Sequence, residues 1–439
     1  MACLGLHVDD ASYAIASDGV LLDCRPSLVD NGSAGNGSLG DDAQSLLREA
    51  PERVSSDHWQ SLQLGNGDDD ANNMLLASEL RRRLASYGGS DDQYVVAVPA
   101  RFDIAPLGVI PGLFAALELP EPQLCDAAAL SAAASGVQGA AIVLEVGLHH
   151  VAASLVETGA AARRLRSVTV EGIGLIRMQE LWLECIAASM VRQTRFDPLH
   201  HGQLEQQLYD ALPRVLERLA HGQLAQVQLS SQGRAFTARI AAADLQYAAA
   251  PLYERVQQVL AELGAVSDVS LLLPRHCEHW PGFPVAIAAV CAGRMALLPQ
   301  GVAAMAASRQ AVAGSGLALA LAVPTLAEPV FAPAWTPIRS ATPATPTAIA
   351  INGQRFELAA EHRTLGREGC DIPLPANAQG VSRHHCTIEA DGDRHYLVDH
   401  SRHGSFHNGQ RVAKRTPLHA GDLLRIGSPP IYAQFLAGD

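Results

Sequence analysis

Lysine is almost missing from this 439-residue sequence: Lys414 is the single one, and every other basic side chain is arginine. No side chain before Lys414 can therefore supply an ammonium group. Long apolar runs are also absent. No stretch approaches the roughly eighteen uninterrupted apolar residues of a spanning helix, so no membrane insertion is expected. The eight cysteines include no C-x-x-C pair, which argues against a zinc ribbon or a disulfide framework and suits a reducing, cytoplasmic setting. The opening "MACLGLHVDD" has neither a basic segment nor an apolar core of the secretory kind. There is no G-x-S-x-G, Walker A or H-E-x-x-H sequence, which removes the hydrolase classes those motifs mark. The net charge is -13, and from Pro346 onward ten Arg/Lys face ten Asp/Glu, so the acid excess lies in the earlier part. Such an acidic region disfavours nucleic acid.

What is present is a globular composition, 48% hydrophobic, over a length that suggests two or three domains. In the first part, strand-like runs alternate with helical patterns. "QYVVAVPARF" is a short strand and a turn. "AAIVLEVGLHHVAASLVE" reads as a hairpin turning near Gly147. "GLIRMQELWLECIAASMVRQT" and "LEQQLYDALPRVLERLA" have helical spacing, and "VSLLLP" is a buried strand. The alternation predicts an α/β core. From Pro324, "PTLAEPVFAPAWTPIRSATPATPTA" is rich in Pro, Ala and Thr and predicts an extended linker open to proteases. Beyond it, "TAIAINGQRFEL", "HCTIEA", "RHYLVDH" and "LLRIG" are short alternating strands with Gly, Asn and Asp between them. That pattern predicts an all-β sandwich with function in its loops. The expected division is residues 1–323, a linker over 324–348, and residues 349–439.

In the last part four elements follow in order: "LGRE", "VSRHH", "SRHGSFHNG" and "LHAGDLLRIG". Together they resemble the forkhead-associated domain, a phosphothreonine-reading β-sandwich. A phosphate dianion needs fixed positive charge and several donors. Arginine offers a planar fork, and a hydroxyl with turn N–H groups adds neutral bonds. The resemblance implies that Arg367 and Ser382 contact phosphate, with Arg383, His403 and Ser405 in the same phosphopeptide-binding loops. It also implies that Gly366, His385, Asn408 and Gly409 shape those loops from within. Where the family usually reads S-x-N-G-T, this chain has His403 in place of the Asn that contacts peptide backbone; an imidazole can still donate.

The first part is similar, piece by piece, to heat-shock chaperones of the actin-like ATPase fold. "LGLHVDDASYAIASDGVLL", "VVAVPARF", "CDAAALSAAASG", "VLEVGLHHVAASLV" and "VSLLLPRHCEHWPGFP" stand in the family order. The implied fold is two α/β lobes around a nucleotide cleft, followed by the β-sandwich. The cleft positions have changed. His7 replaces a carboxylate, and Asp9 and Asp10 stand where a Gly-Thr turn would cradle phosphate. Glu145 replaces an Asp. Gly147 remains, but Leu148 and His149 follow it. Pro274 and Arg275 replace a Gly-Gly pair. The family's catalytic lysine has no counterpart in this part. The expectation is a degenerate cleft without catalysis or cofactor, with magnesium-ATP as the alternative. Neighbouring His149 and His150 would point to opposite faces of a strand and share a metal poorly. The sequence thus predicts a cytoplasmic adaptor that recruits a phosphothreonine-containing protein downstream of a Ser/Thr kinase. Its rivals are an active chaperone targeted by the β domain, and an interaction protein whose β domain ignores phosphate.

Overall fold

The computed structural model describes residues 2–32, 38–56, 78, 80–89, 91–102, 104–221, 224–264, 269–288, 290–291, 293–310, 318–338, 345–351, 354–358, 362–376, 378–392, 394–408, 410–427 and 430–436. Two mixed sheets make up the first part. In the first sheet, β1 (Cys3–Val8), β2 (Ser12–Ser17) and β3 (Val20–Pro26) form an antiparallel meander, and β4 (Gln93–Val98) and β5 (Gln123–Asp126) add on in parallel beside β1. In the second, β6 (Gly139–Val146), β7 (His150–Thr158) and β8 (Ala161–Glu171) form the meander, and β11 (Val269–Pro274) and β12 (Gly293–Leu298) add on in parallel beside β6. The strand order third–second–first–fourth–fifth therefore occurs twice.

Local sequence explains most of these elements. Tyr94 to Val98 is buried throughout, as a strand covered on both faces must be, and α1 (Ile104–Ala116) follows it before β5. Between the two sheets pack α2 (Ala127–Ser135), every residue of which is buried, and α6 (Val302–Ala307). Alanine lets them come close: a Cβ on Gly5 of β1 would lie 2.0 Å from the Ala304 carbonyl oxygen. On the outer face of the second sheet lie α3 (Leu175–Thr194), α4 (Gly202–Ala220) and α5 (Ala242–Glu262). Trp182 is the centre of this layer, edge-on to Trp280 at 5.8 Å, its indole N–H donating to the Leu245 carbonyl. A hairpin of β9 (Ala225–Ser231) and β10 (Arg234–Ile240), absent from the sequence reading, turns at Gln232 and Gly233, both at positive φ.

The Pro-rich stretch differs from the open linker that its composition predicts. Ala320 bridges Cys125 of β5, β13 (Ala322–Pro324) pairs with β8, and β14 (Thr336–Ile338) pairs with β12. Trp335 lies under the Arg294 guanidinium at 4.1 Å. Proline is compatible with such edge strands because one side of the ladder is unused. Residues 339–344 lie outside the described residues.

The C-terminal part is a sandwich of two sheets. One contains β15 (Ala348–Ile351), β16 (Gln354–Glu357), β21 (Ser405–His407), β22 (Gln410–Arg411), β24 (Leu423–Ile426) and β25 (Ile431–Leu436). The other contains β17 (Arg363–Gly366), β18 (Ile372–Pro373), β19 (Cys386–Asp391), β20 (Arg394–Asp399) and β23 (Arg415–Leu418). Ile349, Leu365, Ile388, Leu397, Leu424 and Phe435 fill the space between. The sandwich also docks on α5: the Tyr247 and Tyr432 rings are 4.2 Å apart, and Gln434 reaches Gln246 at 3.5 Å.

Candidate functional site

Three loops converge at one end of the sandwich. The first leaves β17 with Gly366 and Arg367, the second enters β19 with Ser382 to His385, and the third joins β20 to β21 with Ser401 to Gly404. Backbone bonds tie them together. The Arg367 N–H donates to the Ser382 carbonyl and the Glu368 N–H to the Arg383 carbonyl, both at 3.3 Å. The Arg402 N–H lies 3.4 Å from the Ser382 hydroxyl oxygen. Gly366 is required for the first two loops to meet, since a Cβ there would fall 1.8 Å from the Arg383 carbonyl oxygen.

Beneath the loops is a rigid polar layer. His385 is fully buried; its Nδ1 accepts from the Ser382 N–H at 3.1 Å, and its main chain pairs with Leu365 and His400. Burial lowers the His385 pKa, favouring the neutral ring that this acceptor role requires. Asp399 takes the Ser401 N–H, the Ser405 N–H and the Ser405 hydroxyl at 2.9–3.2 Å. Burial opposes its charge, but the bonds from Ser401 and Ser405 hold its carboxyl below the usual carboxylate range. Asn408, at positive φ, bridges Asp422 and the Leu423 N–H, each at 2.8 Å. Gly409 lies outside the described residues.

Arg367, Arg383, Arg402 and His403 are exposed above this layer, and Ser382 is half-buried among them. Arg383 has only a loose, solvent-facing contact with Glu368 at 3.6 Å, and Arg367 touches the Ala376 carbonyl. Ser405 is the exception among the expected peptide contacts. It is wholly buried, its hydroxyl spent on Asp399, so it braces the third loop from below. Arg402 and Asp399 were not singled out by the sequence reading. Arg402 could have been found as the arginine within the third loop motif.

Of the expected cleft positions, the turn carrying Asp10 and the turn carrying Leu148 and His149 meet each other; Arg275 lies apart from them, largely exposed beside Glu278. Asp9 and Asp10 form the β1–β2 turn; Gly147, Leu148 and His149 form the β6–β7 turn. The Asp10 N–H donates to the Asp9 carboxylate at 2.6 Å. Burial, with the nearby charges of Asp10 and Glu145, raises the Asp9 pKa. His7 sits on β1 between Ala14 and Ala97, and burial pushes its pKa down to about 4. Pro274 ends β11 and opens a 3-10 turn over Arg275–His279. His149 and His150 do face apart: His149 pairs with the Ser56 hydroxyl at 2.9 Å, while His150 turns in toward Asp10 at 3.3 Å. Asp9, Asp10 and His150 bring ligand-type atoms within 4.8 Å of one another. Arg101, which the sequence reading passed over, already sets its guanidinium against Asp10 and His150 at 3.0 and 3.2 Å.

Glu145 is half-buried and accepts the Ala100 N–H at 3.2 Å. Burial, then the Asp126 charge, push its pKa up to about 8. The folded value lies above the unfolded one, so this group's contribution to stability is full below about pH 4.5 and is lost as the pH rises through about 8. Glu145→Gln keeps the acceptor and deletes the charge. Its stability should match wild type in mild acid and exceed it above pH 8 by roughly 2 kcal/mol, the full shift being discounted for partial exposure. Urea midpoints across the pH range test this; parallel profiles would contradict it.

Comparison with known proteins bears on one of these two places. Residues 363–427 match the family model for the FHA domain. No curated protein matches the chain. No helix among the described residues is long and apolar enough to cross a membrane. The matched segment holds all three converging loops and the polar layer that braces them, and the C-terminal sandwich is an FHA domain, a type of domain that binds phosphothreonine-containing proteins.

Proposed function

We propose that this chain is a cytoplasmic, phosphothreonine-dependent adaptor: its FHA domain recruits a partner phosphorylated by a Ser/Thr kinase, and its first part is an actin-like, chaperone-like pseudo-ATPase that holds a second protein. One observation carries the recruiting role. Arg367, Arg383 and Arg402 surround Ser382 on loops whose backbones are cross-bonded, so three guanidinium groups are presented to solvent with little freedom left in the chain beneath them. Such an array suits a dianion better than a neutral hydroxyl. The actin-like reading of the first part is supported by the strand order that recurs in its two sheets. The pseudo-ATPase reading is supported by the loss of lysine and of turn glycines at the cleft.

A phosphothreonine peptide library titrated against the full chain tests the recruiting role. Binding should require the phosphate. Removing one charge-assisted contact costs about 1.5–3 kcal/mol, so Arg367→Ala should weaken the selected peptide at least tenfold. Equal affinity in the folded variant would remove Arg367 from the site, and selection of unphosphorylated peptides would remove the function. Phosphate release from magnesium-ATP tests the first part: robust turnover that disappears in Glu145→Ala would overturn the pseudo-ATPase reading.

A further inference from the structure

The Asp10 carboxylate is bound as a ligand would be. It is about 2% exposed and takes contacts from three donor groups, with the His150 ring beside them. The Leu148 N–H donates to one oxygen at 2.9 Å, and the next N–H, of His149, lies 3.4 Å from the other. Arg101 and His150 reach the second oxygen at 3.0 and 3.3 Å. Consecutive main-chain N–H groups aimed at one point form an anion nest. Gly147 leaves the room: a Cβ there would lie 2.4 Å from the Asp10 carboxylate and 2.1 Å from the His150 ring.

Two further facts separate this from an ordinary buried ion pair. Arg101 has a 7% exposed side chain, and its Nη2 is buried without a hydrogen-bond acceptor among the described residues, so the pocket holds more donor capacity than one carboxylate uses. The contacts also cross between the sheets. Asp10 and Arg101 belong to the first, whereas Leu148, His149, His150 and Glu171, which meets Arg101 at 3.2 Å, belong to the second.

We propose that Asp10 is a resident anion: it occupies an oxyanion site built from the Leu148 and His149 N–H groups with Arg101 and His150, and it latches the two sheets together where an exchangeable oxyanion would otherwise bridge them. The inference rests on these contacts and holds whether or not the sheets are kin to an ATPase. The ligand class is a tetrahedral oxyanion, phosphate or sulfate, admitted when the carboxylate is removed.

The test uses full-length wild type, Asp10→Ala and the double variant Asp10→Ala with Arg101→Ala. Each is melted in rising inorganic phosphate against chloride of equal ionic strength. Asp10→Ala should melt below wild type and regain several degrees as phosphate rises, and sulfate should act alike. Wild type and the double variant should not respond. A folded Asp10→Ala whose midpoint ignores phosphate, or a wild type that responds equally, overturns the proposal. If Asp10→Ala is recovered unfolded, phosphate must restore its folded circular dichroism; a chain that stays unfolded in phosphate overturns the proposal as well. ATP turnover, measured separately, judges the pseudo-ATPase reading, so the two can fail independently.

Discussion

Gly366→Ala should abolish phosphopeptide binding and destabilise the FHA domain. A methyl group at this position would sit 1.8 Å from the Arg383 carbonyl oxygen, 2.7 Å from its carbon and 2.8 Å from the Cys370 sulfur. The first two contacts are main chain, so no rotamer change relieves them. Either β17 withdraws from the second loop or the loop moves outward. Both break the Arg367–Ser382 and Glu368–Arg383 backbone bonds that set the spacing of the arginines. Overpacking of this kind costs about 3 kcal/mol or more where backbone must shift. The expected result is a thermal midpoint lower by several degrees for the C-terminal transition and a peptide affinity below detection, against at least a tenfold loss for Arg367→Ala. A variant that melts and binds like wild type would show that the two loops are not in contact.

Gly5→Ala should do comparable damage to the first part. The added methyl would meet the Ala304 carbonyl oxygen at 2.0 Å and the Ser308 nitrogen at 2.4 Å, both on the main chain of α6 and the residue that follows it. Because β1 is the middle strand of its sheet, it cannot retreat without disturbing β2 and β4 on either side. The cost is again roughly 3 kcal/mol or more, and the protein should accumulate in the insoluble fraction on expression. Trimming Ala304 to Gly should not rescue it, since the clash is with backbone. Soluble Gly5→Ala with an unchanged urea midpoint would refute this packing.

Much of this was legible in the sequence where the signal was local. The hairpin turning at Gly147, the buried "VSLLLP" strand and the two helices of apolar period over Leu175–Thr194 and Gly202–Ala220 follow from spacing alone. Pro213 and Pro251 lie inside helices, where packing overrides a residue that would otherwise mark an end. The FHA loops were legible because four motifs recur in order. What escaped was non-local. Arg101 and Asp10 are 91 positions apart, and nothing in either neighbourhood announces the pair. Ser405 looked like a surface contact because its motif is a loop motif, yet a half-buried acid six residues earlier draws its hydroxyl inward. The strands "AVP" and "TPI" have too few residues and too much proline to register as strands; they exist because sheet edges were there to receive them.

The path of residues 320–338 has a consequence for synthesis. This short stretch touches β5 of the first sheet, then β8 at one side of the second, then β12 at the other. It is also the last portion of the two-sheet region to leave the ribosome. Until it emerges, strands made some 160 residues earlier wait with open ladders, during the interval in which unpaired edges invite contact between nascent chains. A release of the polypeptide at residue 323 would omit β14 and Trp335 and leave β12 permanently uncovered. A stop codon placed just after Ile338 should therefore give a better behaved product than one placed before the proline-rich run.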